Sequence, residues 1–157
     1  MNISAQDCQN LDRALSLEWL ETNGRGGFSS GTVAGANTRR YHALLLTARK
    51  PPSERFVLVN QMKEWLDLDG QSFPLSTNCY PSVVHPSGYQ FCTRFATDPW
   101  PTWTFICNGT TVQREIFTVH GRDLVIVRWR LLGKKKQQAI LRVRPKLTGR
   151  DYHATHH

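Results

Sequence analysis

Acidic residues are scarce in this chain. Its 157 residues include 12 Asp and Glu against 20 Lys and Arg, which gives a formal net charge of +8. A basic domain can indicate nucleic-acid binding, but this charge is spread out and no RNA-recognition or helix-turn-helix signature accompanies it. The densest basic run, Lys134-Lys135-Lys136, falls at a predicted hairpin tip, where lysine is an ordinary solvated residue. We therefore expect no nucleic-acid partner.

Long apolar runs are also missing. No stretch approaches the roughly 18–20 apolar residues of a membrane-spanning helix. The first residues, Met1 to Asp7, lack the basic start and the apolar run of a signal peptide. The sequence thus predicts a cytoplasmic protein with no membrane partner.

Metal-binding and disulfide patterns are absent as well. The four cysteines are widely spaced with no C-x-x-C pair: Cys8, Cys79, Cys92 and Cys107. Such spacing offers no zinc site, and disulfides are rare in a reducing cytosol, so buried free thiols are expected. Three histidines near the end, His153, His156 and His157, could chelate a metal, but a frayed chain end is the favoured interpretation. We predict no metal.

Helical signals are weak, and only residues 4–16 could hold a short helical turn. Elsewhere short runs of apolar residues alternate with turn residues, which is typical of strands. Predicted strands are 28–34, 41–47, 55–60, 62–68, 72–75, 102–107, 111–119, 124–132 and 137–144, the last four forming an antiparallel meander. Asp69-Gly70 and Asn108-Gly109 are predicted hairpin turns. The sequence therefore predicts an all-β antiparallel sandwich with few or no helices.

Period-two alternation marks the buried face of this sheet. Between positions 124 and 131 one face is wholly apolar, with Val125, Val127, Trp129 and Leu131, while the other becomes charged at Arg128 and Arg130. The last strand repeats the pattern, since Leu141 and Val143 alternate with arginines. We expect these apolar faces to be buried.

The most distinctive segment is rich in glycine. Five glycines lie between positions 24 and 35, followed by Asn37-Thr38-Arg39-Arg40-Tyr41-His42. Each glycine costs backbone entropy on ordering, so such a run indicates positive φ angles or close backbone approach. It matches neither G-x-G-x-x-G nor a G-K-[ST] loop, and it forms no G-x-S-x-G elbow near Ser29 and Ser30. Phosphate cradling and a serine nucleophile are therefore disfavoured, and we predict no cofactor.

This segment resembles a known family. The matching residues run from Glu18 to Phe28, then Ser30-Gly31-Thr32, Gly35, Asn37 to His42, Pro81, His85 to Gly88, Arg144-Pro145 and Arg150-Asp151-Tyr152-His153. They resemble the N-terminal domain of the bacterial and archaeal type of glycogen debranching enzyme, the amylo-alpha-1,6-glucosidase family. Ala43 stands where that family usually has glycine.

The resemblance has consequences for fold and activity. It implies a β-supersandwich over residues 17–157, with residues 1–16 as an N-terminal extension. In the family the catalytic carboxylates belong to a C-terminal (α/α)6 barrel, which these residues do not include. Glycoside cleavage needs two cooperating carboxyl groups, and the acidic residues here lie on separate segments without an evident pairing. We therefore expect a non-catalytic domain that packs on the barrel, shapes an α-glucan site and releases no glucose by itself.

The candidate site residues come from the same motif. Substrate contacts are predicted at Arg39, Arg40, Tyr41 and His42, and at an aromatic face made by Trp100 and Trp103. The motif residues with a predicted structural role are Asn23, Gly24, Gly26, Gly27, Gly31, Gly35, Asn37 and Thr38.

Two interpretations of residues 39–42 stay open. In the functional one, Arg40 and His42 alternate along a strand and point together into the cleft against the barrel. In the structural one, the arginines pair with acids such as Asp151, Tyr41 packs and His42 bonds to backbone, while the tryptophans fill core or edge positions. Other roles also stay open: a stand-alone carbohydrate-binding module, or an interaction domain whose exposed apolar face drives self-association.

Overall fold

The structure, a computed structural model, describes residues 1–133 and 138–154. It confirms the predicted all-β class, because strands dominate and the two α-helices are short. The helices are α1 (Ala5–Gln9) and α2 (Leu11–Ser16), and a 3-10 turn spans Gly88–Phe91. The strands are β1 (Asn2–Ile3), β2 (Glu18–Thr22), β3 (Phe28–Thr32), β4 (Ala43–Lys50), β5 (Ser53–Leu68), β6 (Gln71–Pro74), β7 (Thr77–Tyr80), β8 (Val83–Ser87), β9 (Cys92–Ala96), β10 (Thr102–Cys107), β11 (Thr110–Thr118), β12 (Val125–Leu132) and β13 (Ala139–Asp151).

Two antiparallel sheets form the sandwich. The front sheet has the order β1-β9-β10-β11-β12, and the back sheet has the order β13-β5-β4-β3-β2, with β6 also paired to β5. A small separate pair is made by β7 and β8. We call the face of each sheet that points toward the other sheet its inner face.

The hydrophobic core lies between the inner faces. Trp103, Phe95 and Phe105 of the front sheet are at most 1% exposed, and Leu66 and Leu68 approach them from β5. Burying each such side chain contributes about 1.5–3 kcal/mol. The core therefore joins both sheets into one packed unit.

A buried ion pair crosses this core. Glu64 of β5 lies 2.7 Å from Arg114 of β11, and both side chains are under a tenth exposed. The Arg114 guanidinium also lies 4.0 Å from the centre of the Trp103 ring. Since removing one partner would leave an uncompensated buried charge, this pair fixes how the two sheets face each other.

The N-terminal residues pack onto the same core. Ser4 caps α1 by accepting the backbone N–H of Asp7 at 3.4 Å, and Asn10 caps α2 by accepting that of Arg13 at 3.1 Å. Cys8 and Ala14 are almost fully buried. The predicted helical turn is thus two capped short helices against β9 and β3.

The predicted turns and several strand bounds agree with the structure. The strand 102–107 matches β10, and Asn108 and Gly109 have the positive φ angles of 48° and 74° that their turn requires. The predicted strands 55–60 and 62–68 are one continuous strand, β5, within which the Gln61 side chain is buried and donates to the Thr77 carbonyl at 3.1 Å.

The meander prediction was wrong for its last strand. The chain after β12 leaves the front sheet, and β13 pairs with β5 in the back sheet, from Ala139 opposite Leu68 to Asp151 opposite Phe56. The long free edge of β5 accommodates nearly all of β13, which a hairpin on the eight-residue β12 could not do. Lys134 to Gln137, and with them the predicted hairpin tip, lie outside the described residues.

The expected burial of the last two strands was also only partly right. Val127 and Trp129 are half-buried, but Leu131 is 45% exposed, and Leu141 and Val143 are 36% and 38% exposed. The alternation correctly predicted the inner face, because Leu141 lies opposite buried Leu66. These side chains are exposed because, among the described residues, the front sheet ends at β12 and has no further strand to cover β13.

The cysteines are free thiols, and three of them are buried. Cys79 is exposed on β7, against the expectation of burial. Burial raises the pKa of the Cys107 thiol to about 11. In the described part of the chain, no helix has the length and apolar character needed to cross a membrane.

Candidate functional site

The glycine-rich bend between β2 and β3 is organised by one buried side chain. Asn23 is 2% exposed, and its Oδ1 accepts the backbone N–H groups of Arg25 at 2.9 Å and Gly27 at 3.0 Å. Its Nδ2 donates to the Arg122 carbonyl at 3.1 Å and to Asp123 Oδ1 at 3.0 Å. The side chain therefore fastens the bend to the β11–β12 loop of the other sheet.

Two glycines of the bend adopt the left-handed conformation that favours glycine. Gly24 has a φ of +74°, and a Cβ there would lie 2.4 Å from the His120 ring. Gly26 has a φ of +87°, and a Cβ there would lie 2.8 Å from backbone atoms of Pro52. The positive φ strains any side chain at both positions, and at Gly26 the close contact is with backbone, which cannot move aside as the exposed His120 ring can.

His42 organises the second half of the motif. Its imidazole is 4% exposed, and Nδ1 accepts the backbone N–H groups of Thr38 at 3.1 Å and Arg39 at 3.4 Å. Because Nδ1 accepts, the neutral ring carries its proton on Nε2, which lies 3.5 Å from Glu18 Oε1. Asn37 braces the same turn by donating to the Asn60 carbonyl at 3.0 Å.

Glu18 connects this buried histidine with the surface. Its carboxylate lies 2.6 Å from Arg39 Nε, and Arg39 is largely exposed. Burial lowers the pKa of His42, and Glu18 opposes this effect only in part. The ring is therefore neutral at physiological pH and acts as a fixed hydrogen-bonding group.

The two ends of the sequence motif meet at one surface. Arg40 Nη1 donates to the His153 carbonyl at 3.0 Å, and the Tyr41 hydroxyl lies 3.2 Å from His153 Nδ1. The Tyr41 and Tyr152 rings are 5.2 Å apart between centres. In return, the Arg150 guanidinium donates to the Arg40 carbonyl. We call this group, Arg40, Tyr41, Arg150, Tyr152 and His153, the motif junction.

The structure separates Arg40 from His42. Residues 39–41 form a turn and β4 begins only at Ala43, so strand alternation does not apply to them. Arg40 is exposed at the motif junction while His42 is buried behind it. The expectation that both point into one cleft is therefore wrong. Ala43, the departure from the family pattern, is fully buried against Leu46 and Val57.

The structural interpretation of residues 39–42 agrees better with the contacts. His42 bonds to backbone and Tyr41 packs on Tyr152, as that interpretation has it. Arg39 pairs with an acid, but the acid is Glu18 rather than Asp151, whose Oδ1 instead accepts the His153 backbone N–H at 2.8 Å. Arg40 bonds to a carbonyl.

The two tryptophans lie on opposite faces of the front sheet. Trp103 is 1% exposed in the core, where its Nε1 donates to the Val33 carbonyl at 2.8 Å. Trp100 is half-buried on the outer face, stacked on Phe117 with ring centres 4.6 Å apart and bonded to Glu115 at 3.1 Å. They cannot form one continuous face for a sugar.

Two other motif glycines line a small cavity between the sheets. Gly31 and Gly35 lie there with Asn37, against Trp19, Trp103 and the Glu64–Arg114 pair. A cavity of about 40 Å³ holds a few water molecules and is too small for a sugar ring. Arg114 Nε is buried without a partner among the described residues, so a water is its expected acceptor.

Sequence reasoning missed the partners of the motif rather than its members. Glu18 was recognised as a motif residue but not as the partner of His42, and Asp123 and Glu64 were seen only as scattered acids. Each of the three holds a motif residue or the core in place. Glu64 and Arg114 carried a detectable signal, because each stands at an inward position of an alternating strand. Within the described residues no three His, Cys, Asp or Glu side chains lie close enough to hold a metal ion.

Comparison with known proteins identifies one family. Its model, described as glycogen debranching enzyme N terminal, matches residues 17–157. No curated protein and no solved structure matches the chain.

Proposed function

Because the chain belongs to the glycogen debranching enzyme N-terminal family, we propose that it is the non-catalytic N-terminal domain of an amylo-alpha-1,6-glucosidase. In this role it packs on a separate catalytic (α/α)6 barrel and shapes the side of the site that receives a glycogen-like glucan. The reaction served is hydrolysis of α-1,6 linkages in cytoplasmic carbohydrate metabolism.

The motif junction carries this proposal. Two signature segments more than a hundred residues apart converge there, and the convergence leaves Arg39, Arg40 and Tyr41 on the surface. The turn that carries them is held by His42, which accepts the backbone N–H groups of Thr38 and Arg39, and by Asn37, which donates to the His42 and Asn60 carbonyls. Guanidinium and phenol groups on a rigid backbone suit a surface that must keep its shape against a protein partner or sugar hydroxyls.

The positions of the acidic residues support a non-catalytic role. A glycosidase needs two carboxyl groups roughly 5–9.5 Å apart across the scissile bond. Of the 12 acidic residues, six are held in ion pairs by Lys or Arg side chains, and these pairs lie on different parts of the sandwich: Asp7, Glu18, Glu54, Glu64, Asp67 and Glu115.

The test combines the chain with a separately produced (α/α)6 barrel of an amylo-alpha-1,6-glucosidase. We expect the two to co-elute as a complex, and we expect glucose release from a branched limit dextrin to rise above that of the barrel alone. The chain by itself should release no glucose. A barrel that is equally active with and without the chain would contradict the proposal.

Two variants separate docking from folding. Arg40→Ala should weaken the complex at least tenfold while changing the Tm little, because the Arg40 side chain is exposed. Arg142→Ala is the matched control, since this exposed arginine lies on β13 beside Asp67 and away from the motif junction. Equal effects of both variants would indicate a general charge effect. Titration with maltooligosaccharides tests the alternative of a carbohydrate-binding module, which requires sugar binding without the barrel.

A further inference from the structure

The open side of the sandwich is the strongest unexplained feature of the molecule. We use this name for the inner-face residues Trp129 and Leu131 of β12 and Leu141 and Val143 of β13. Val127 of β12 lines the same cavity as Met62 and Glu64 of β5, which places β12 against the strand that pairs with β13. The two edge strands therefore flank one gap in the core.

Burial of the inner face of the back sheet ends between β5 and β13. Leu141 and Val143 lie opposite Leu66 and Glu64, which are at most 4% exposed. One strand further out, the same inner face is 36% and 38% exposed at Leu141 and Val143. The back sheet thus extends one strand beyond the cover that the front sheet provides.

The backbone of β12 is arranged to extend the front sheet. Val119 donates to the Leu124 carbonyl at 2.9 Å, which makes this a hydrogen-bonded pair, and such pairs alternate along an antiparallel ladder. The N–H and C=O groups of Val125, Val127, Trp129 and Leu131 consequently point away from β11. Within the described ranges no strand pairs with β12 on that side.

Charge identifies what kind of strand fits. On the outer face of β12, Arg128 and Arg130 share one carboxylate, that of Glu115, and both are nearly half exposed. Cross-strand neighbours on one face interact directly, so a strand added beside β12 would place its outer side chains next to two incompletely neutralised arginines. A second copy pairing antiparallel through β12 would oppose these arginines to each other, which is unfavourable.

We propose that the open side binds a β-strand of a partner polypeptide whose side chains alternate between apolar and acidic. This strand pairs with β12 and continues the front sheet. Its apolar side chains cover Leu131, Leu141 and Val143, and its carboxylates face Arg128 and Arg130. The buried Nε1 of Trp129, which has no acceptor among the described residues, lies under the same cover.

The test uses the purified chain and fluorescein-labelled ten-residue peptides. One peptide alternates Val and Glu, a second alternates Val and Lys, and a third has five Val followed by five Glu. Fluorescence anisotropy should give at least tenfold tighter binding for the Val-Glu alternating peptide than for either control. Hydrogen exchange should slow at the amides of residues 125–131 when that peptide is bound. Affinity should fall as salt rises.

Variants assign the binding to the open side. The double variant Leu141→Ser/Val143→Ser should weaken binding at least tenfold. Leu20→Ser is the matched control, since Leu20 is 58% exposed on β2, the other edge of the back sheet, and its variant should bind normally. Arg128→Gln should weaken binding of the Val-Glu peptide but not of the Val-Lys peptide.

Several results would overturn the proposal. These are absence of binding, equal affinity for the Glu and Lys peptides, and protection at β2 instead of β12. Sedimentation velocity tests a second copy as the occupant, and a dimer that protects β12 without peptide would refute the acidic strand. Vesicles of phosphatidylcholine and phosphatidylglycerol test a lipid surface as the occupant. Vesicle binding that is lost in Leu141→Ser/Val143→Ser would also refute the acidic strand.

Discussion

Replacing Asn23 by alanine tests the idea that one side chain fastens the glycine-rich bend to the opposite sheet. The substitution removes four hydrogen bonds, two accepted and two donated, at a position that is 2% exposed. At about 1 kcal/mol for each bond, the free energy of unfolding should fall by about 4 kcal/mol. For a domain of this size, the Tm should fall by about 8–16 °C.

The isosteric variant Asn23→Asp sharpens this test. Aspartate keeps an oxygen for the N–H groups of Arg25 and Gly27, but it turns a second oxygen toward the Arg122 carbonyl and the Asp123 carboxylate. We expect it to destabilise at least as much as alanine at neutral pH, because the lost donor is replaced by repulsion. Lowering the pH should restore part of the loss as a carboxyl group takes up a proton.

Urea denaturation followed by tryptophan fluorescence gives the required free energies. Asn10→Ala is the control, since Asn10 accepts one bond as the cap of α2 and should cost about 1 kcal/mol. If Asn23→Ala lowers the free energy of unfolding no more than Asn10→Ala does, the idea that Asn23 fastens the bend is refuted. An Asn23→Asp variant as stable as the native chain would refute it as well.

Three further outcomes are expected. Gly26→Ala should lower the Tm clearly more than Gly109→Ala. Both residues have positive φ, but only at Gly26 would the added Cβ clash with backbone atoms. Thermal unfolding of the two variants measures the difference. Glu64→Gln should cost about 3–5 kcal/mol in urea denaturation by leaving Arg114 buried without its counter-charge, whereas the double variant Glu64→Leu/Arg114→Met should cost less. Burial lowers the pKa of His42, so the folded state binds fewer protons at this residue than the unfolded state does. The resulting contribution to the free energy of unfolding is present above the unfolded pKa of about 6.5 and is lost as the pH falls through the folded pKa. Urea denaturation between about pH 7 and pH 5 should show that decline for the native chain and a weaker one for His42→Asn; identical slopes would contradict it.

Local chemistry made part of the fold predictable. Asn108-Gly109 specifies a hairpin because both residues adopt positive φ readily, and the flanking strands β10 and β11 followed from the runs on either side of this turn. Alternation also identified the inner residues of β13, such as Leu141. It could not identify the partner of β13, because a period of two sets the face of a strand and not its neighbour.

The candidate site was predictable only as a set of residues. The glycine-rich run predicted positive φ angles or close backbone approach somewhere in the bend, and Gly24 and Gly26 have such angles. The contact of Asn23 with Asp123 spans a hundred residues, and no local pattern encodes it. The burial of His42 was missed for a related reason, since the turn before β4 ends two residues later than the apolar run suggested.

The placement of β13 sets the order in which the chain can fold. Its partner β5 ends at Leu68, but the pairing residues begin only at Ala139, so one edge of the longest strand waits for about half of the sequence. Contacts so distant along the chain close slowly. During synthesis, β5 therefore stays open to competing strands until its partner emerges. A ribosome pausing before that point would prolong this exposure and favour aggregation of the nascent chain.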